Sequence, residues 1–187
     1  MATKDLPTFT VPSLTPEEGA QVAAILQTRL DALNDLALTL KHIHWNVTGP
    51  HFIAVHEMLD PQVDAVRLMV DAIAERIATL GVAPVGTPGA LVAARTWDDY
   101  AIGRDTAIAH LGALDEVYIG VIEAHRKAAA DTEDLDTVTN DLLIGHLHEL
   151  ELFHWFVRAH LESAGGKLST AGATTEKSAA RAATRKA

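Results

Sequence analysis

Apolar side chains recur along this chain at steps of three and four, the spacing that gathers them on one face of an α-helix. Leu26, Leu30, Leu33, Ala37 and Leu40 make one such series, and its next member is a histidine, His44. Phe52, His56, Leu59, Val63, Val66, Val70, Ile73, Ile77 and Leu80 make a second. The first helix starts at Thr15, which can cap it, with Pro16 at its first position and Glu17 and Glu18 facing the positive end of the dipole. It ends where Asn46, Gly49 and Pro50 accumulate. The second runs from His51 to Leu80 and stops at Gly81, with Pro61 a candidate kink. Ile108, Leu111, Tyr118, Val121 and Ile122 predict a third helix over 105–130, and Leu143, Leu147, Leu150, Val157 and Leu161 a fourth over 136–163. In the long connection over 82–104, Thr96-Trp97-Asp98-Asp99 predicts the cap of a short helix. No stretch sustains the period of two that a strand requires.

The pattern predicts an all-α protein, a ferritin-like four-helix bundle over 15–164 whose long connection between helices 2 and 3 carries a short helix. Residues 1–14, with Pro7 and Pro12, read as an N-terminal arm. Residues 165–187 hold one large apolar side chain, Leu168, and read as a mobile C-terminal tail with transient helix in its alanine-rich part.

Composition narrows the chemistry. The 187 residues include no cysteine, which excludes disulfides, thiolate metal sites and cysteine nucleophiles. With no long apolar run or signal peptide, a cytoplasmic protein without membrane contact is expected. The net charge of −10 is unevenly placed. From Gly166 onward Lys167, Lys177, Arg181, Arg185 and Lys186 face a single acid, Glu176, so the tail carries +4 and the body −14.

Of ten histidines, His42, His110, His125, His146, His148 and His160 read as surface or packing residues. His56, Asp60, Asp71 and Glu75 differ, because at 100° per residue they lie at about 0°, 40°, 60° and 100° around the second helix and share one face. Each i,i+4 pair suits two ligands of one ion. The pairs, however, stand about 22 Å apart along the helix, too far for a single ion. A second copy packed antiparallel across a two-fold axis near Asp64 to Arg67 would set each His56/Asp60 pair against the partner's Asp71/Glu75 pair. His44 returns to the same place through the Asn46–Pro50 turn. Imidazole and carboxylate donors suit iron, manganese or zinc. A solvated face or interhelical salt bridges would use the same residues. Only one Glu-x-x-His segment occurs, Glu151-Leu152-Phe153-His154, so a di-iron centre inside one bundle is not expected.

The run His44-Trp45-Asn46-Val47, with Gly49, Phe52, His56, Asp60, Asp71 and Ala74-Glu75-Arg76, resembles the signature of the Dps family, the DNA-binding proteins of starved cells or mini-ferritins. The tail is similar to that of actinobacterial members. The resemblance implies a homo-dodecamer of 23 symmetry with ferroxidase centres at its two-fold interfaces, His44, His56 and Asp60 coming from one chain and Asp71 and Glu75 from its partner. Fe(II) and hydrogen peroxide would be the substrates, iron (Fe2+/Fe3+) the metal handled, and Trp45 a radical interceptor or a packing residue. It also implies a three-fold pore lined by Glu133, Asp134, Asp136 and Asp141, which could equally serve the helix N-terminus, and a nucleoid association. Non-specific DNA binding through Lys167, Lys177, Arg181, Arg185 and Lys186 is the matching expectation for the tail. The alternative is a nucleoid-compacting DNA-binding protein with secondary or no ferroxidase activity.

Overall fold

The structure, a computed structural model, describes residues 6–163 and 165–186, the side chain of Lys186 excepted. In chain order the elements are α1 (Pro16–Asn46), β1 (Val47–Thr48), α2 (Phe52–Thr79), α3 (Pro88–Ala94), β2 (Asp105–Thr106), α4 (Ala107–Thr132), α5 (Thr137–Leu161) and α6 (Glu176–Lys186). The four long helices, α1, α2, α4 and α5, form the bundle. α1 begins with a capping box in which the Thr15 hydroxyl accepts from the Glu18 amide and the Glu18 carboxylate accepts from the Thr15 amide. Its core series Leu26, Leu30, Leu33 and Leu40 is buried together with Leu59, Val63, Val66 and Ile73 of α2 and Leu114, Leu143 and Leu150 of the second helix pair. α2 continues through Pro61 without interruption and ends at Gly81, where φ is +86°.

Three expectations need correction. The short helix of the connection is α3, seven residues starting at Pro88 behind Thr87, not a helix capped by Thr96. Proline at the first helical position explains the earlier start. Trp97 lies instead in an irregular segment tied to α1, its indole donating to Asp35 Oδ2 at 2.9 Å. A two-residue parallel pairing, Val47 with Asp105 and Thr48 with Thr106, also joins the end of α1 to the start of α4. It is too short to alter hydrophobic periodicity.

The tail is the largest departure. Beyond α5 the chain is held at Asp115, whose Oδ2 accepts from the Thr170 hydroxyl at 2.7 Å, and 176–186 is the helix α6 packed on α4. Ala179, Ala180 and Ala183 are buried. Gly112 makes this possible, because a Cβ there would stand 2.7 Å from the Ala179 carbonyl oxygen. A helix of eleven residues is marginal alone. Its ordering therefore rests on small side chains that permit close approach, a signal that a count of large apolar residues does not register. Lys177, Arg181 and Arg185 follow at i, i+4 and i+8 and are exposed. They form a row on the face away from the alanines. Lys167 is exposed in the preceding loop, and the Lys186 side chain lies outside the described residues.

Of the N-terminal arm, residues 1–5 lie outside the described residues, and Val11 and Leu14 pack against the core.

Candidate metal centre

The apolar series of α1 delivers His44 to the core edge, where 7% of it is exposed, and the turn through Gly49 brings the chain back so that His56 lies against it. The two rings stack with centroids 3.5 Å apart. Their hydrogen bonds are reciprocal: Nδ1 of His44 meets the His56 carbonyl at 3.0 Å, and Nδ1 of His56 meets the His44 carbonyl at 2.9 Å. A carbonyl only accepts, so each Nδ1 carries the proton. In the neutral ring Nε2 is then the atom with a free lone pair, the form a metal ligand requires. Phe52 packs on His56 with ring centroids 4.9 Å apart.

Asp60, one turn after His56, is half exposed. Its Oδ1 accepts from Lys41 Nζ at 3.0 Å and lies 3.2 Å from His44 Nδ1. The Lys41 hydrogen bond holds the Asp60 carboxyl below the usual carboxylate range. Sequence reasoning did not single out Lys41, although it precedes His44 by three residues and so shares its face of α1. Lys41 also lies 5.7 Å from the ring centre of Trp45, which is 72% exposed.

Asp71 and Glu75 are exposed farther along α2, apart from this cluster. Among the described residues, no three histidine or carboxylate side chains of the single chain are grouped to hold a metal ion. His44 neighbours both His56 and Asp60 without the three forming a ligand group by themselves, and Asp71 and Glu75 lie apart from them. Between the two sets α2 exposes Leu68, and α1 exposes Leu38 and Trp45. Leu38 and Leu68 were not singled out from sequence, since they fall outside the core series, whereas Trp45 was, as a radical interceptor or a packing residue.

The four acids expected around a pore divide. Glu133, Asp134 and Asp141 are exposed, whereas Asp136 is 8% exposed. Asp136 Oδ2 is 2.5 Å from Arg76 Nη2 and also accepts from the Thr139 hydroxyl. Burial pushes its pKa up, but the Thr139 and Arg76 hydrogen bonds and the Arg76 charge outweigh that and leave it low. It occupies the N-cap position of α5 without capping through its side chain, and it links α5 to α2. The lone Glu-x-x-His segment is also divided, with Glu151 paired to Arg126 at the surface and His154 Nε2 2.7 Å from Asp115 Oδ1 inside. None of the helices described is long and apolar enough to cross a membrane.

Residues 23–164 match the family model for a ferritin-like domain. A DNA protection during starvation protein of Mycolicibacterium smegmatis is 61% identical over 178 residues, covering 95% of this chain and 97% of the relative. Among solved structures, Mycobacterium smegmatis Dps superposes with a TM-score of 0.89 at 62% identity, over 90% of this chain and 97% of that one. DpsA14 from Streptomyces coelicolor superposes with a TM-score of 0.86 at 64% identity, over 87% and 97%. Fold, chain length and sequence agree along nearly the whole molecule: the chain belongs to the Dps family of ferritin-like proteins.

Proposed function

We propose that this protein oxidises Fe(II) with hydrogen peroxide at sites shared between two copies and stores the ferric product within a dodecameric shell, thereby sparing DNA. The observation that carries this reading is the division of the ligand set. His44 and His56 have Nε2 free beside Asp60, while Asp71 and Glu75 stand about 22 Å along the same exposed face. An antiparallel second copy brings the two sets together, and Leu38, Leu68 and Trp45 supply apolar area for the contact.

The chemistry follows from the donors. Neutral imidazole and carboxylate bind Fe(II) and, once it has lost an electron, favour Fe(III) through the negative oxygens. Two ferrous ions give one electron each to one peroxide, whose O–O bond breaks to leave both oxygens at the oxidation level of water. Paired delivery matters, because one electron alone would release a hydroxyl radical. Trp45, next to His44 in sequence, serves as a reserve electron donor. The −14 body raises the local concentration of cations, and the exposure of Glu133, Asp134 and Asp141 supports their reading as the acids of an entry pore. Asp136, neutralised by Arg76, keeps the helix ends in position instead.

The test is complementation. Oxidation of Fe(II) by peroxide, measured without oxygen, should be lost in His56→Ala and in Asp71→Ala. Assemblies reconstituted from both variants should regain part of it, because a mixed dimer holds one intact site. Absence of any recovery in correctly assembled mixtures overturns the shared site.

DNA binding is a second part of the proposal, favoured by the row Lys177, Arg181 and Arg185 on α6. Contacts from these side chains to phosphates read no sequence and weaken with salt. Replacing all three by Gln in the full chain should abolish the gel shift of linear DNA and leave iron oxidation unchanged. An unaltered gel shift removes the helix from the mechanism.

A further inference from the structure

A cavity of about 610 Å³ lies between α1 and α4, closed at one end by the irregular segment around Trp97 and by the start of α6. Its α1 wall, Arg29, Ala32, Leu36 and Thr39, is turned almost directly away from Leu38, Lys41 and Trp45 at 100° per residue, so dimerisation through the candidate metal face leaves it open. The volume falls in the range of small-molecule sites.

Its two ends differ in charge. At one end stands Arg29, 8% exposed and in no ion pair among the described residues. Its Nε donates to Thr28 at 3.2 Å, and its buried Nη1 has no partner. Asp31 is hydrogen-bonded by Gln27, and its charge acts on Arg29 without forming an ion pair with it. A buried guanidinium nitrogen without a hydrogen-bond partner is costly, and an anion that accepts from it removes the cost. At the other end are Asp98, Glu116 and Glu176, three acids against the one lysine, Lys177, that lies beside Glu176. Glu116 has neither hydrogen bond nor ion pair among the described residues, and burial followed by the charges of Asp115 and Glu176 pushes its pKa up. Leu36, Val117 and Val121 lie between. Eight residues of α4 separate Ala124, beside Arg29, from Glu116, an axial distance of about 12 Å.

Gly120 adds an independent observation. It lies inside α4, where glycine costs about 1 kcal/mol relative to alanine. A Cβ there would meet nothing within 4 Å, so no packing demand explains the glycine. It lines the cavity, and any side chain at this position would enter the open groove.

We propose that the α1–α4 groove is a binding site for a linear amphipathic zwitterion, a carboxylate meeting Arg29, an aliphatic chain crossing Leu36 and Val121, and an ammonium group lying among Asp98, Glu116 and Glu176. Because Glu176 and Lys177 form part of the wall, the occupied groove also favours the docked position of α6.

Calorimetry on the full-length assembled protein tests this with ω-aminooctanoate, octanoate, octylamine and ω-aminobutanoate. The first should bind saturably and more tightly than either singly charged chain, and the short homologue, unable to span both ends, should bind at least tenfold more weakly. Arg29→Gln should weaken ω-aminooctanoate by about tenfold or more and leave octylamine unchanged, whereas Glu116→Gln should weaken octylamine. Gly120→Leu, whose Cβ meets nothing within 4 Å and whose side chain extends into the groove, should abolish binding of all four while assembly and iron oxidation persist. No saturable binding, equal affinity for all chains, or binding unaffected by both Arg29→Gln and Gly120→Leu overturns the proposal.

Discussion

His44 and His154 are both histidines beside an aspartate in one bundle, and they have opposite fates. His44 spends Nδ1 on a backbone carbonyl and keeps Nε2 free at the edge of an exposed face. His154 turns Nε2 inward to Asp115 at 2.7 Å, stacks on the fully buried Tyr118, and the second oxygen of Asp115 is taken by Thr170. The same pair of residue types thus makes an open donor set in one place and a closed latch in the other. What separates them is the surroundings, because either partner leaves a second ring nitrogen over, but only His44 has another histidine stacked on it and an exposed aspartate beside it.

The comparison is broken most severely at the open set. His56→Ala removes a ligand and the carbonyl-anchored stack with His44, and should slow peroxide-driven iron oxidation by about a hundredfold or more, with thermal stability nearly unchanged. His154→Ala should do the reverse, leaving oxidation close to the parent rate in folded protein. If both variants lose activity equally without loss of stability, the division between open and closed sets is wrong.

At the closed set the effect appears in stability. Asp115 is 2% exposed, and although burial alone would raise its pKa, the hydrogen bonds from His154 and Thr170 lower it below the ordinary value. A depressed carboxylate pKa gives stability that is complete above the unfolded value, about 3.9, and is lost as pH falls through it toward the folded value. Asp115→Ala should cost about 3–5 kcal/mol by chemical denaturation near neutral pH. The difference from the parent should shrink below about pH 4, where the parent loses its advantage.

How far these two regions could be read in advance depends on what each relies on. The bundle and the clustering of His44 with His56 follow from periodicity and turn chemistry, both local in sequence. The absence of a second Glu-x-x-His segment already argued against a di-iron centre around His154. Its actual partner, Asp115, lies 39 residues before it, and the hydroxyl that takes the other oxygen of Asp115, that of Thr170, lies beyond the end of α5, and no pattern links them. Asp136 stands at the start of α5, as one of its two expected roles required, but its bond to Arg76 across 60 residues was not legible for the same reason. The docking of α6 was not legible, because it depends on a glycine in another helix. Only the three-dimensional meeting of Gly112 with Ala179 and Ala183 distinguishes a packed alanine helix from a loose alanine-rich tail.

That meeting predicts a smaller effect, confined to the tail. Gly112→Ala places a methyl group against backbone, which cannot rotate away, so α6 must lift while the rest of α4 is undisturbed. Amide hydrogen exchange should accelerate across 176–186 and stay at the parent rate in α1 and α2. Gly145→Ala, where a Cβ meets nothing within 4 Å, is the matched control and should leave the exchange of α6 unchanged. Equal exchange in the two variants would mean that α6 does not rest on Gly112.

The smallest expected change is at the boundary of the open set. Lys41 holds Asp60 Oδ1, an oxygen that an incoming ferrous ion would also use. The pair is at the surface, with 20% and 52% of the two side chains exposed, so its contribution to folding is small. Its competition with metal is limited to the same magnitude, because binding at Asp60 must first release the ammonium group. Lys41→Gln should therefore tighten Fe(II) binding by about fivefold at most in anaerobic titration, and the gain should fade with added salt, which weakens the competing ion pair in the parent. A loss of affinity would instead assign Lys41 to the assembly of the site, and the open set would then owe its geometry to the lysine as well as to the two carbonyls.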